Sequence, residues 1–460
     1  MESCVRTKLQ NLGYRIYETP YAYIESAMSW YRNEVDEHFH KRTSITGESY
    51  EIERLNFAKR GCEDDANLCE IVSINAGDDT QSEDVRQILA RNRFEVMYRK
   101  QLELMSAAGT SCAYIRLDNA TYLDNGKVTG GDIRITYCEA ENYVPLTVVN
   151  DDVIEAAFSG TDITKDGKRS TLVVFSFADG LYKAETYIFD KHGKEIESYW
   201  IQLGDVRPFA VMRVAEVNNI RYMDGFGLPK VFNAIPTLKK IELVNMILNG
   251  DLERGEKLIL TNEVIVDIDR NTGKPKKKNN LMKRLFVFLG DERLPDMKSI
   301  IQEYNPEIRI EPIQKTMEFC LSLFSMMFGF GTKQYKFENG QIQTATQYIG
   351  ERQDAMKSLN RQRKESTDYI CGIVRAIEWF ANTFQGTAYD LDAEICIDFD
   401  DSYIEDKNTL MDSMKTDATM FSDIPEFTVR YIMKRLNLSR EEAMKVYEGK
   451  IIEEEEEQED

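Results

Sequence analysis

Two clusters of side chains in this 460-residue chain could do chemistry. His38 and His40 form H-x-H beside Asp36 and Glu37, a spacing that could offer imidazole and carboxylate ligands to a metal. A polar helix face gives the same pattern. Asp398, Asp400 and Asp401, with Glu405 close behind, resemble the carboxylate sets that hold two metal ions for phosphoryl chemistry. On an alternating strand, however, Asp398 and Asp400 share the face opposite Ile397 and Phe399, as any half-exposed strand would have it. Gly329 and Gly331 make a G-x-G, but Gln334 stands where a dinucleotide fingerprint needs its third glycine, and no strand precedes it.

The remaining signatures are incomplete. Gly126-Lys127 and Gly273-Lys274 do not finish a G-x-x-x-x-G-K-[ST] loop, no G-x-S-x-G elbow occurs, and His192 is the one other histidine. The sequence points to no catalytic residue, no cofactor and no metal site, leaving open one enzymatic alternative: a metal-dependent nuclease or phosphotransferase using Asp398, Asp400 and Asp401. A basic run differs in kind. Arg270, Lys274, Lys276, Lys277, Lys278, Lys283 and Arg284 stand out from a chain whose formal net charge is −21. Such a run is either a solvated hairpin tip or a contact for an acidic partner or DNA.

The overall charge argues against general, tight binding of nucleic acid, which needs clustered cations. Eight cysteines lie scattered without C-x-x-C spacing, so they indicate neither a zinc site nor a disulfide framework, and thiols reduced in a cytoplasm are expected. The N-terminus lacks a signal pattern, and the most apolar stretch, Met317 to Phe330, is too short to span a bilayer. No membrane association is expected.

The elements alternate in type along the chain. Residues up to about Ala108 read as mainly helical, with i, i+3, i+4 apolar spacing in "NRFEVMYRKQLELMSAAG" and Gly109 as a stop. Strands follow: "SCAYIRLD" and "GDIRITYCEA" around Asp124-Asn125-Gly126, then "STLVVFSF" and "LYKAETYIFD" around Asp179-Gly180, with "ESYWIQL" and "RPFAVMRV" continuing the sheet. A helix from Ala234 carries Pro236 in its first turn, and its apolar positions cover more than one face. Next come a strand "KLILTNEVIVDID", the basic loop and a returning strand "LFVFLGDE". A second helix from Pro312 has Met317, Cys320, Phe324, Met327 and Phe328 in one stripe. Thr344 and Gln347 form a capping box for a long helix to about Phe384. A strand "AEICIDFDD" and a helical end follow, with an S-x-x-E at Ser439 and Glu442, Gly449 as a cap, and an acidic tail.

Several stretches, in collinear order, resemble the portal proteins of tailed bacteriophages, in particular the portal family of long-tailed phages of Gram-positive hosts. They are "SWYRNE", "LNFAKRGCEDDANLCEIV" (similar to the family's first wing helix), "AAGTSCAYIRLD", "AENYVPLTVVNDDVIEAAF" with Pro145, "NNIRYMDGFGLPKVFNAIPTLKKIELVNMILNGDLERGEKLIL", "TATQYIGERQDAMKSLNRQ" and "LSREEAMKVYEG". Two positions depart from the family pattern: Glu242 where aspartate is usual, and Pro229 where serine is.

The resemblance implies an α+β portal fold: a wing over 1–233, a first stem helix over 234–257, a clip over 258–311, a second stem helix over 312–328, a tunnel loop over 329–343, a long wing helix with its return strand over 344–402, and a helical crown with an acidic tail over 403–460. It implies a non-enzymatic ring of twelve subunits at the capsid vertex of a virion, assembled in the cytoplasm of the bacterial host, through which double-stranded DNA passes. Its partners would be copies of itself, the terminase large subunit, the head-to-tail adaptor, and capsid and scaffolding proteins. Lys333, Tyr335, Lys336 and Phe337 would sit on the loop projecting into the channel, and the seven cations from Arg270 to Arg284 would meet an acidic partner at the clip. Twelve copies at −21 would sum to roughly −250, a field that keeps a passing polyanion from sticking.

Overall fold

The computed structural model describes residues 2–43, 47–122, 128–165, 167–255, 258–261, 286–288, 301–304, 307–332, 334–335, 345–400, 407–421, 424–436 and 440–449. The N-terminal part holds α1 (Ser3–Asn11), α2 (Glu18–Tyr31), the short hairpin β1 (Lys41–Thr43) and β2 (Ser49–Glu51), α3 (Phe57–Ala66), β3 (Ile71–Ala76), α4 (Asp79–Arg91) and α5 (Phe94–Ala108). Helix α5 buries Phe94, Tyr98, Leu102 and Met105 along one stripe and stops where expected, at Gly109 with φ +84°. The stretch similar to a single wing helix is not one. Helix α3 ends at Ala66, a 3-10 turn covers Asn67–Cys69, and the β-branched Ile71, Val72 and Ile74 make β3 instead.

The central strands are β4 (Thr110–Asp118), β5 (Thr121–Tyr122), β6 (Val128–Thr129), β7 (Asp132–Glu139), β8 (Tyr143–Val149), β9 (Asp152–Thr164), β10 (Gly167–Ala178), β11 (Leu181–Phe189), β12 (Glu195–Gln202) and β13 (Phe209–Arg213). Strands β4 and β7 pair antiparallel, and β5 with β6 extends the arm toward Asp124-Asn125-Gly126, which lies outside the described residues. Between β10 and β11, Ala178 faces Leu181 across a two-residue turn in which Asp179 (φ +54°) and Gly180 (φ +80°) both take left-handed values.

Strands β8 to β12 form one five-stranded antiparallel sheet, but β13 does not continue it as the sequence suggested. It pairs with β4, giving a second sheet in the order β13-β4-β7. The chain crosses over at Gly204, where a Cβ would lie 2.6 Å from the Trp379 indole, and Phe209 then enters the aromatic core between the sheets. There its ring centroid is 5.6 Å from both Phe158 and Phe175.

The rest comprises α6 (Lys230–Arg254), β14 (Leu258–Thr261), β15 (Phe286–Phe288), β16 (Ile301–Tyr304), α7 (Ile310–Met327), α8 (Ala345–Phe380), β17 (Ile395–Phe399), α9 (Lys407–Met420), α10 (Pro425–Leu436) and α11 (Arg440–Tyr447). Two elements differ from the sequence expectation. Helix α6 starts at Lys230, with Pro229 at the N-cap position and making no side-chain cap, so Pro236 lies inside the helix, where it forfeits one backbone hydrogen bond. Strand β15 does not return as a hairpin: it runs parallel to β14, and β16 is the antiparallel neighbour. A parallel pair requires a long connection, and Thr261 and Phe286 are far enough apart in sequence to allow one. Helix α8 passes into a π-turn at Ala381–Gln385, and β17 pairs with β3.

Candidate functional site

The site of interest is the antiparallel pair α6 and α7 with the turn that ends it. Each end of the pair is held by charge. Lys230 opens α6, where the helix dipole disfavours a cation, and it is buried. Its Nζ donates to Asp65 Oδ1 of α3 at 2.7 Å, and Ser106 Oγ donates to the other carboxylate oxygen. Burial pulls the Lys230 ammonium down, and the charge and hydrogen bond of Asp65 outweigh it, so the group is held above its ordinary value. At the opposite end, Arg309 Nε and Nη2 donate to both Asp251 oxygens, at 2.8 and 2.7 Å, closing the helix pair where the chain leaves for β14.

Between these ends, α6 carries Glu242 into the interior. His40 Nδ1 accepts the Asp36 backbone N–H at 2.9 Å, which leaves Nε2–H to donate to Glu242 Oε2, also at 2.9 Å. The imidazole lies 5.2 Å from the Trp30 ring and 5.0 Å from Phe39. Burial raises the Glu242 carboxyl, and His40 opposes that shift. The H-x-H pair is therefore neither a polar helix face nor a ligand pair: it sits in a turn, with His40 buried on Glu242 and His38 exposed. Among the described residues no three potential ligands gather.

Helix α7 packs through Cys320, Phe324 and Phe328, with Met317 half-buried beside them. A Cβ on Gly61 of α3 would lie 2.8 Å from both the Phe324 and Phe328 ring tips, so this glycine sets how closely α3 and α7 approach. Met327, expected inward, is instead exposed with Phe319 and Met326. Phe319, 62% exposed, is an aromatic that the inward stripe left unexplained. On α6, Ile247 and Leu252 are exposed as well.

The helix ends in a left-handed turn. Gly329 has φ +82°, and the Phe330 amide donates back to Ser325 O at 3.0 Å. Tyr335, expected on a projecting segment, folds back: its hydroxyl donates to Asp64 Oδ2 at 2.8 Å, and its ring centroid is 5.5 Å from Phe324. Arg60 Nε donates to the same Asp64 oxygen at 3.0 Å. Burial and then the hydrogen bond to Asp64, with its charge, push the Tyr335 hydroxyl up, keeping it a donor. Consecutive residues of α3 thus hold one end of the pair, Asp64 the turn after α7 and Asp65 the start of α6. Replacing Tyr335 by phenylalanine keeps the ring contact and removes the hydrogen bond. The expected result is a loss of about 1.5–3 kcal/mol and faster amide exchange over 329–335, read by hydrogen-exchange mass spectrometry.

Lys333, Lys336 and Phe337 lie outside the described residues, as do Arg270, Lys274, Lys276, Lys277, Lys278, Lys283 and Arg284. The acidic alternative is only partly in view. Asp398 is exposed and accepts from Ser73 Oγ at 2.7 Å. Asp400 lies beyond a bulge, where its amide donates to Glu70 O at 2.9 Å, and Asp401 and Glu405 lie outside the described residues.

No protein-family model and no curated protein matches the chain. Solved structures are. One is a chain of the neck of an empty GTA particle computed with C6 symmetry: TM-score 0.41, 11% identity, 80% of this chain and 86% of that one covered. Another belongs to the virion of a native gene transfer agent (GTA) particle, at TM-score 0.40 and 9% identity over 79% and 85% of the two chains. A third, from the neck of a native GTA particle computed with C12 symmetry, has TM-score 0.41 and 9% identity over 81% and 89%. Among the described residues no helix is long and apolar enough to cross a membrane.

Proposed function

We propose that this chain is a non-enzymatic portal subunit, which forms a closed ring with copies of itself at a capsid vertex and passes double-stranded DNA along a channel lined by α6 and α7. The observation that carries this is the set of apolar side chains the helix pair leaves exposed: Phe319, Met326 and Met327 on α7, with Ile247 and Leu252 on α6, are all exposed in the single chain. Five large apolar side chains left in water along one helix pair are what a covering partner would bury. If the covering surface is a different patch on the next copy, the contact is head-to-tail, and a closing rotation makes a ring. Helix α6, 25 residues long, spans about 37 Å, enough to line a substantial passage.

The collinear motifs and the charge support the same reading. A bore of mostly acidic subunits does not retain a duplex, and Lys333 and Lys336, on a loop whose near end is fixed by Gly329 and Tyr335, would give it one sparse ring of cations. The region from 258 to 311, entered past the Asp251–Arg309 clamp, would be the clip, and its cations would meet the terminase during packaging and the adaptor afterwards.

The test is assembly. Wild-type chain is expected to give annular particles in electron micrographs and a ring mass in sedimentation. Phe319→Asp combined with Met326→Asp is expected to leave folded monomers, because both side chains are already exposed. Rings that persist in the double variant, or wild-type chain that never forms annuli even when co-expressed with capsid protein, would overturn the proposal.

A further inference from the structure

The structure places two of the eight cysteines opposite each other. Cys112 of β4 and Cys138 of β7 are direct partners in the antiparallel register, and no other two cysteines are. Directly opposed residues project from the same face of a sheet, with Cα atoms about 4.5–5.5 Å apart. A disulfide needs about 4.4–6.8 Å. Both thiols are free and buried, and the Cys138 thiol makes a weak contact with Ser159 O of β9 at 3.5 Å. Strand β7 is the edge of the sheet β13-β4-β7, so it can open without breaking the β4–β13 pairing.

We propose that Cys112 and Cys138 are a latent cross-strand disulfide, a redox modification site that bolts β7 to β4 when the chain meets a low-molecular-weight disulfide such as oxidised glutathione. In the first step the Cys138 thiolate, having lost its proton to solvent, attacks one sulfur of oxidised glutathione and expels a glutathione thiolate. The Cys112 thiolate then attacks the Cys138 sulfur and expels the second glutathione. Two protein thiols and one small disulfide become one protein disulfide and two small thiols, and the protons lost by the protein are taken up by the departing thiolates. With the sheet closed the site is inert, because burial pushes the Cys138 thiol up to about 12 and the Cys112 thiol well up too. Oxidation therefore waits on opening of the edge strand, and its rate levels off as oxidant is raised. The proposal does not depend on ring formation.

The experiment uses the whole folded chain in glutathione buffers stepped from reducing to fully oxidised. Samples are acid-quenched, alkylated in denaturant and digested without reductant for mass spectrometry. The expected result is a joined pair of peptides carrying Cys112 and Cys138, lighter by two hydrogens than the separate thiols. A thermal midpoint higher by about 3–4 °C in the oxidised chain accompanies it, and Cys138→Ser removes both signals. Two free thiols at the most oxidising poise, or a glutathione adduct on Cys138 that never resolves, would overturn the proposal on wild-type chain alone.

Discussion

Asp65→Ala is expected to destabilise the chain by about 3–5 kcal/mol, because it leaves the buried Lys230 ammonium without the carboxylate it donates to. The midpoint of urea denaturation, followed by tryptophan fluorescence, checks it. Combining Asp65→Leu with Lys230→Met should recover most of that loss, since apolar side chains of similar size need no pairing. If the single and double variants are equally unstable, the ion pair is not what holds the base of α6 to α3. The expected failure is also local in its consequence: without this pair the first turn of α6 loses its anchor, while the Asp64 contact to Tyr335 stays in place.

The second large effect is steric. A Cβ on Gly227 would lie 2.2 Å from Gly109 O and 2.9 Å from the Val214 amide nitrogen, both backbone atoms that cannot rotate away. The same carbonyl accepts the Val214 amide at 3.0 Å, and the Gly227 amide donates to Thr110 Oγ1 at 2.9 Å. Gly227→Ala is therefore expected to cost more than about 4 kcal/mol or to prevent folded protein from accumulating. Gly160→Ala is the matched control. Its added Cβ meets nothing within 4 Å, and its expected change is within about 0.5–1 kcal/mol of wild type. Soluble yield and circular dichroism of the two variants decide the matter, and a Gly227→Ala chain as stable as wild type would rule out the close approach.

Features fixed by neighbours in sequence were legible before the structure. The stripe of α5 with its stop at Gly109, the β10–β11 hairpin across Asp179-Gly180, and the glycine turn after α7 all follow from local spacing and left-handed positions. What failed depends on distant partners. Strand β13 alternates like a sixth strand of the meander, and only its burial among Phe158 and Phe175 sends it to β4. Helix α6 reads as starting at Ala234 because proline favours a first turn, whereas the helix begins at Lys230 with Pro229 at the N-cap position.

The stem motif was legible in outline and not in its fastenings. Two apolar helical segments around an insertion are visible in the pattern, but Asp64 and Asp65 look like any acidic stretch of an exposed helix. Nothing in one sequence couples them to Tyr335 and Lys230. His40 and Glu242 likewise lie 202 residues apart, and although each drew notice on its own, nothing in the sequence pairs them until the fold brings them to 2.9 Å. The outward Phe319 was the one available signal, an aromatic off the stripe whose members other than Met327 turn inward.

The ladder between β3 and β17 has a further consequence for how such a chain is made. Ser73 and Asp398 meet across 325 positions, so a ribosome must finish most of the polypeptide before β3 gains its mate. Until then a bare strand edge stays available for the wrong pairing. A premature stop upstream of Ile395 would yield aggregates in place of shortened but competent subunits, a quality check imposed at the moment of synthesis.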